Sequence, residues 1–147
     1  MVDFDLQLRA AIYRYFADHA QPPTIEEMAS VVERPVREVG ESYRRLYARR
    51  MLVLMPDGES IRMAPPFSGV ETQHRVEALG RTYFANCAWD SFGIPAALHA
   101  EADVVSRCEQ THAPLRLPLT VDGPPPSDWL FHVVVPAAHW WRDIVYT

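Results

Sequence analysis

Tyr83 to Asp90 reads YFANCAWD and places a thiol and a carboxylate three residues apart, Cys87 and Asp90. On a helix that spacing puts both side chains on one face, one turn apart. Asn86 is a favoured helix cap and follows an extended, aromatic stretch. It therefore predicts a helix that starts with Cys87 at its first position. Free N–H groups and the helix dipole favour a thiolate there. Asp90 opposes the thiolate by charge, yet it can take the thiol proton and pass it on. Such a pair suits proton transfer coupled to thiolate attack. The plain reading stands beside it: a small buried thiol in a core, with Asp90 bound to a loop backbone.

Other chemistry is thin. Cys108 ends a predicted strand, 21 residues after Cys87. It is a candidate partner in a metal site or disulfide, or simply a structural thiol, and no C-x-x-C pattern supports a metal. His112 lies near it without a matching ligand. His19, His74, His99, His132 and His139 show no H-E-x-x-H spacing. No G-x-S-x-G elbow or glycine-rich phosphate loop is present. Trp89, Trp129, Trp140 and Trp141 read as core or pocket wall.

Composition narrows the classes further. All 14 basic residues are arginine, which excludes Schiff-base chemistry, a lysine general base and a P-loop lysine. The net charge is −5, with 9 basic and 10 acidic residues up to Met63 and 5 basic and 9 acidic after it. Neither half carries the positive bulk of a typical nucleic-acid binder. No apolar run is long enough to span a membrane, and the N-terminus has no secretory pattern. A reducing cytoplasmic location with free thiols is the expectation.

The elements that must position the pair divide the 147 residues into two expected domains, 1–63 and 64–147. In the first, Phe4, Leu8, Ala11, Ile12, Tyr15 and Phe16 recur at helical spacing. Thr24 and Glu27 form a T-x-x-E capping box before Ile25, Met28 and Val31. Pro35 opens a third helix running to about Arg50. LVLM and SIRM flank a PDGE turn as a hairpin. Three helices and a hairpin predict a winged helix-turn-helix-like domain. Its arginines, Arg37, Arg44, Arg45, Arg49 and Arg50, alternate with Glu38 and Glu41, the pattern of a solvated face rather than a DNA-reading one.

APPFSG, 64–69, reads as a linker. VETQHRVEALGRTYFAN then predicts two strands turning at Gly80, and CAWDSFGIPAAL a short helix ended or kinked near Pro95. ADVVSRC and PLRLPLTV read as a hairpin pair around EQTHA. VDGPPPSD is a rigid loop, WLFHVVVP a buried strand, and AAHWWRDIVYT a turn running into an apolar segment. The fold class is therefore α+β, a helical winged-helix-like domain followed by a small mixed β-sheet domain.

GRTYFANCAWDSFGIPAAL, followed by a strand ending in SRC, resembles the alkylmercury lyase (organomercurial lyase) family. The likeness is strongest from about Pro66 to Cys108, and the order of elements matches. The resemblance implies that Cys87 is a mercury-binding cysteine and Asp90 the proton-shuttling aspartate. It implies a structural role for Cys108, and an N-terminal part that shapes the substrate cavity instead of reading DNA. The substrate would be an organomercurial, small thiols would remove the product ion, and no cofactor is implied, because mercury arrives with the substrate. The family uses a second mercury-binding cysteine after a segment like HWWRDIVYT. The sequence ends at Thr147, about where that residue is expected: either it is a truncated form of a longer protein or the homologue lacks the second thiol, and the strands that the tail would supply imply a partner chain, as in a homo-oligomer, or an exposed edge. Two alternatives remain: a non-catalytic homologue that binds a soft metal or organometal, and a ligand-responsive winged-helix regulator.

Overall fold

The structure is a computed structural model, and it describes residues 3–146. Met1, Val2 and Thr147 lie outside the described residues, so the two ends of the expected domains, and the cysteine expected about Thr147, are not addressed by it. Three helices lead: α1 (Phe4–His19), α2 (Ile25–Val31) and α3 (Val36–Ala48). Each begins where local chemistry starts it. The Asp3 carboxylate accepts from the Asp5 N–H at 3.1 Å to open α1. Thr24 and Glu27 close the expected capping box at α2. Pro35 is the cap of α3, one position earlier than its expected place inside the helix. Arg49 caps the other end of α3, and Arg50 lies beyond it at positive φ, so the helix stops short of its expected limit.

The helices are tied by apolar and polar contacts. Leu8, Ile12, Phe16, Met28, Val39, Tyr43 and Leu46 are buried together. Asp5 is buried, and it accepts from Ser42 Oγ at 2.6 Å and from Arg45 Nη2 at 2.7 Å. The Arg45 hydrogen bond, with help from Ser42, holds the Asp5 carboxyl below its ordinary range against the opposing pull of burial. Arg34 pairs with Glu38 and Arg37 with Glu41 on the outer face, as the interleaved charges predict.

Two antiparallel sheets follow. β1 (Val53–Leu54), β2 (Ile61–Ala64) and β3 (Phe67–Ser68) form the first, in that order. β4 (Arg75–Ala78), β5 (Arg81–Phe84), β6 (Ala102–Arg107) and β7 (Pro114–Leu119) form the second, ordered β5-β4-β6-β7. Among the described residues every strand pair of the second sheet is antiparallel, where a mixed sheet was expected. The helix α4 (Ala88–Leu98) connects β5 to β6. It passes Pro95 and ends only at Leu98. Proline there removes one helical bond, and the neighbouring turns continue around it.

APPFSG is not a linker. Pro65–Pro66 is a cis peptide, and the chain turns from β2 straight into β3. Phe67 lies where all parts meet. Its ring stacks on Phe16 at 5.3 Å, meets Tyr13 edge-on at 6.2 Å and contacts Tyr83 at 5.9 Å. Its backbone bridges to Ala85 just past β5. Tyr83 Oη donates to the Ala17 carbonyl at 2.7 Å, and Tyr13 Oη to the Pro65 carbonyl at 2.6 Å. One buried cluster runs from Leu8 through Phe67 to Leu119. Gly69 completes the bend, because a Cβ there would lie 2.0 Å from the Ile61 carbonyl oxygen.

WLFHVVVP is not a strand. Residues 129–136 pair with no strand, and Leu130 and Val134 are 93% and 73% exposed. β-branched and aromatic residues favour a strand only where a neighbouring strand and a packed face exist. The contact of Phe131 with Trp89, ring to ring at 5.6 Å, ties this stretch back to α4. AAHWWR forms a short 3-10 helix, Ala137–Arg142. No helix among the described residues is long and apolar enough to cross a membrane.

The position of Phe67 gives a direct test. Phe67→Ala should destabilise the whole chain by about 3–5 kcal/mol, as large aromatic deletions in a core do. Urea unfolding should move to lower midpoint as a single transition, detected alike by helix and aromatic signals.

A candidate proton-coupled thiol site

The site grows from the end of the second sheet. Arg75 on β4 pairs with Phe84 on one side and Val105 on the other. Beyond that row, Ala85 to Cys87, Thr72 to His74 and Ser106 to Cys108 all emerge at the same end. Ala85 N donates to the His74 carbonyl at 2.9 Å, and Thr72 Oγ1 donates to the Ala85 carbonyl at 2.6 Å. These bonds carry the strand order one residue past β5 and stop it there. The chain then turns into α4.

Cys87, not Asn86, is the N-cap of α4, with φ −149° and ψ 178°. The helix starts one residue later than expected because the Asn86 side chain is engaged elsewhere. Its Nδ2 lies 3.3 Å from the Pro66 carbonyl oxygen, 3.2 Å from that of Phe67 and 2.9 Å from Asp90 Oδ2. As cap, Cys87 gives its carbonyl to the Ser91 N–H at 3.2 Å, the first bond of the helix. Asp90 lies in the first turn, so the two expected residues are neighbours. The Cys87 thiol and the Asp90 carboxyl interact, which raises the thiol and lowers the acid.

The electrostatics differ from the expectation of a ready thiolate. Burial pushes the Cys87 thiol above its usual range, and the nearby Asp90 charge adds to that. The N–H groups of Asp90 and Trp89 pull the other way, although neither closes a full cap hydrogen bond onto the sulfur. The helix N-terminus helps, as expected, but desolvation outweighs it. Burial also raises the Asp90 carboxyl, against the hydrogen bonds from Asn86 and Cys87. Both shifts favour the neutral forms, and the raised carboxyl is the more basic acceptor for it.

Gly93 lets the helix lie this close. A Cβ there would approach Pro66 Cβ to 2.9 Å. Thus the Pro66–Phe67 turn touches α4 through Gly93 and Asn86 and touches the β5 end through Ala85. Sequence reading missed Pro66, Phe67 and Gly93 as site supports and assigned Asn86 the wrong task. The Asn86–Asp90 pair had a signal: four residues apart, Asn and Asp lie within reach on a helical face.

Cys108 is at the same end of the sheet, on the far side of β4 from Cys87. β4 stands between β5 and β6, and strands are spaced by about 4.8 Å, so two spacings separate their ends. Both cysteines are free thiols, half-buried, and no group of three His, Cys, Asp or Glu side chains that could hold a metal ion occurs among the described residues. The Cys108 N–H donates to the Ala113 carbonyl at 2.8 Å. The Thr111 hydroxyl, followed by the N–H groups of Thr111 and Gln110, lowers the Cys108 thiol. His74 lies between the two ends, with Nδ1 2.9 Å from Ser106 Oγ, and burial lowers its pKa.

The scaffold is α+β, with a half-buried thiol and a half-buried carboxyl at the start of α4. The sequence pattern of the family described as "MerB: Alkylmercury lyase" matches residues 67–147, which is more than half of the chain. The chain belongs to the alkylmercury lyase family. Among solved structures it is similar to the mercury-bound form of MerB2, with a TM-score of 0.68 and 23% identity over 87% of this chain and 61% of that one. At that identity the likeness is one of fold. The chain spans about three fifths of the length of that neighbour. No curated protein matches the sequence.

A stability test follows from the sign of the Asp90 shift. A carboxyl raised in the folded state favours folding most when protonated, and that contribution is lost as pH rises through its folded value. Asp90→Asn stays neutral at every pH. It should therefore unfold at a higher temperature than the wild type at neutral pH, and the advantage should vanish below about pH 4, the ordinary carboxylate range. Thermal unfolding at several pH values reads both.

Proposed function

We propose that this chain is an alkylmercury lyase-like protein that uses Cys87 as nucleophile and Asp90 as proton carrier. The observation that supports the reading is Cys87 at the start of α4 with Asp90 in its first turn, the acid held by the Asn86 amide at 2.9 Å and raised by burial. Family membership supplies the substrate class, an organomercurial cation R–Hg⁺.

The chemistry follows from the pair. Mercury(II) is soft and prefers thiolate sulfur. As the Cys87 sulfur bonds to mercury, its proton passes to Asp90. No free thiolate has to accumulate beforehand, so the raised thiol is no obstacle. Sulfur donation then pushes electron density toward the carbon. Asp90 returns the proton to that carbon as the carbon–mercury bond breaks. The products are R–H and thiolate-bound mercury(II), and Asp90 is again a carboxylate. Small external thiols would exchange onto the ion and release it. The reading needs no cofactor of its own, since the metal belongs to the substrate.

The N-terminal helices with β1 and β2 fit the winged-helix-like role of walling a cavity better than that of reading DNA. Arg45 and Arg49 are turned to Asp5 and Asp3, and Arg34 and Arg37 to Glu38 and Glu41. The separate position of Cys108 favours a second reading, a non-catalytic organomercurial binder. One thiolate captures R–Hg⁺ but activates its carbon less than two would.

Incubation with a simple organomercurial and excess thiol, with hydrocarbon measured over time, separates the readings. The lyase predicts release that Cys87→Ser abolishes. Asp90→Asn should keep stoichiometric capture of the mercurial and lose release by on the order of 100- to 10000-fold, the usual span of a positioned general acid–base. Capture without any hydrocarbon from the wild type would leave the binder.

A further inference from the structure

We propose that Asn86 is the positioning residue of this site, clamping the Asp90 carboxylate to the Pro66–Phe67 turn and so fixing which atom receives the shared proton. The proposal rests on the thiol–carboxylate reading above and extends it to a residue outside the pair.

The geometry is specific. The Asn86 amide nitrogen faces three acceptors: the carbonyl oxygens of Pro66 and Phe67 and Asp90 Oδ2, at 3.3, 3.2 and 2.9 Å. The opposite orientation of the amide would turn its oxygen onto those same three oxygens, which offer no proton. The chemistry of the neighbours therefore fixes the amide orientation. The cost is visible on the other side, where Asn86 Oδ1 is buried without a partner. A buried unpaired acceptor is unfavourable, and here it accompanies an amide whose donors all point at the turn and the acid. The shortest of the three contacts is the one to Asp90.

The consequence is directional. Two backbone carbonyls from a rigid turn hold the amide, and the amide holds one carboxylate oxygen. That restrains the last torsion of Asp90 and leaves its other oxygen in a defined place. The same hydrogen bond favours the charged carboxylate and works against the desolvation that would protonate it. Without Asn86 the acid keeps its burial and loses its main compensating donor. It would then bind a proton from solvent more readily and be unable to accept the one on Cys87.

The test measures Asp90 itself. The carboxyl carbon of Asp90 is titrated by NMR in the full chain, in the wild type, Asn86→Leu and Asn86→Ala. Both variants remove the donors without adding a charge, and both should move the Asp90 midpoint to higher pH. The alkylation profile of Cys108 with neutral iodoacetamide serves as the internal control and should not move. In the hydrocarbon assay the loss should fall on kcat, on the order of 10- to 100-fold, with mercurial capture retained. If Asn86→Leu does not fold, Asn86→Ala decides. An Asp90 midpoint unchanged in a folded variant overturns the proposal, whether or not hydrocarbon is released. A wild type that releases no hydrocarbon overturns the lyase reading and leaves the midpoint comparison standing.

Discussion

The contact of the Pro66–Phe67 turn with three different elements is the constraint on which the rest depends. Phe67 places its ring among Phe16, Tyr13 and Tyr83, so the helical layer and the second sheet share one aromatic cluster. Its backbone bridges to Ala85, where β5 has just ended. Pro66 packs on Gly93 of α4, and both carbonyls receive the Asn86 amide. A helix N-terminus can hold a thiol and an acid in any number of proteins. Here its position is set by a turn that is itself wedged into the core. Burial of the ring and placement of the chemistry are therefore one problem, not two.

That coupling explains what was legible in the sequence. Helical spacing in Phe4 to Phe16, the T-x-x-E box and the two hairpins are local signals, and each element stands where they place it. Cys87 and Asp90 were legible for the same reason, since three residues on a helix define a face. APPFSG looked like a linker because proline and glycine are turn residues wherever they occur. That Phe67 is buried there follows from partners 51 and 16 residues away in sequence, Phe16 and Tyr83. WLFHVVVP failed in the opposite sense. Its residues have the right preference for a strand, but a strand needs an edge to pair with. Preference without a partner leaves the residues exposed.

The cap of α4 shows how local and tertiary demands compete. Asn86 is by type the better N-cap, and a sequence rule assigns it that place. Its amide instead meets two carbonyls and a carboxylate, three charged or strongly polar acceptors against the single backbone N–H that a cap would satisfy. The cap passes to Cys87, which makes a poor one. A poor cap would suit the nucleophile proposed here. The sulfur keeps its lone pairs free of a committed bond while the N–H groups behind it still favour negative charge.

Burial then sets the order of events. A thiolate stabilised by the helix dipole alone would be reactive toward many electrophiles in solution. Desolvation raises both Cys87 and Asp90, so charge on the sulfur is unfavourable until a cation arrives. In the proposed reaction an organomercurial cation would supply that charge as the sulfur–mercury bond forms, while the thiol proton would move only to the adjacent carboxylate. The acid, protonated in a site that disfavours its anion, would hold that proton until a stronger base appeared, and a developing carbanion is one. The same low dielectric that makes the resting pair costly would thus restrain the thiol before binding and direct the proton after it.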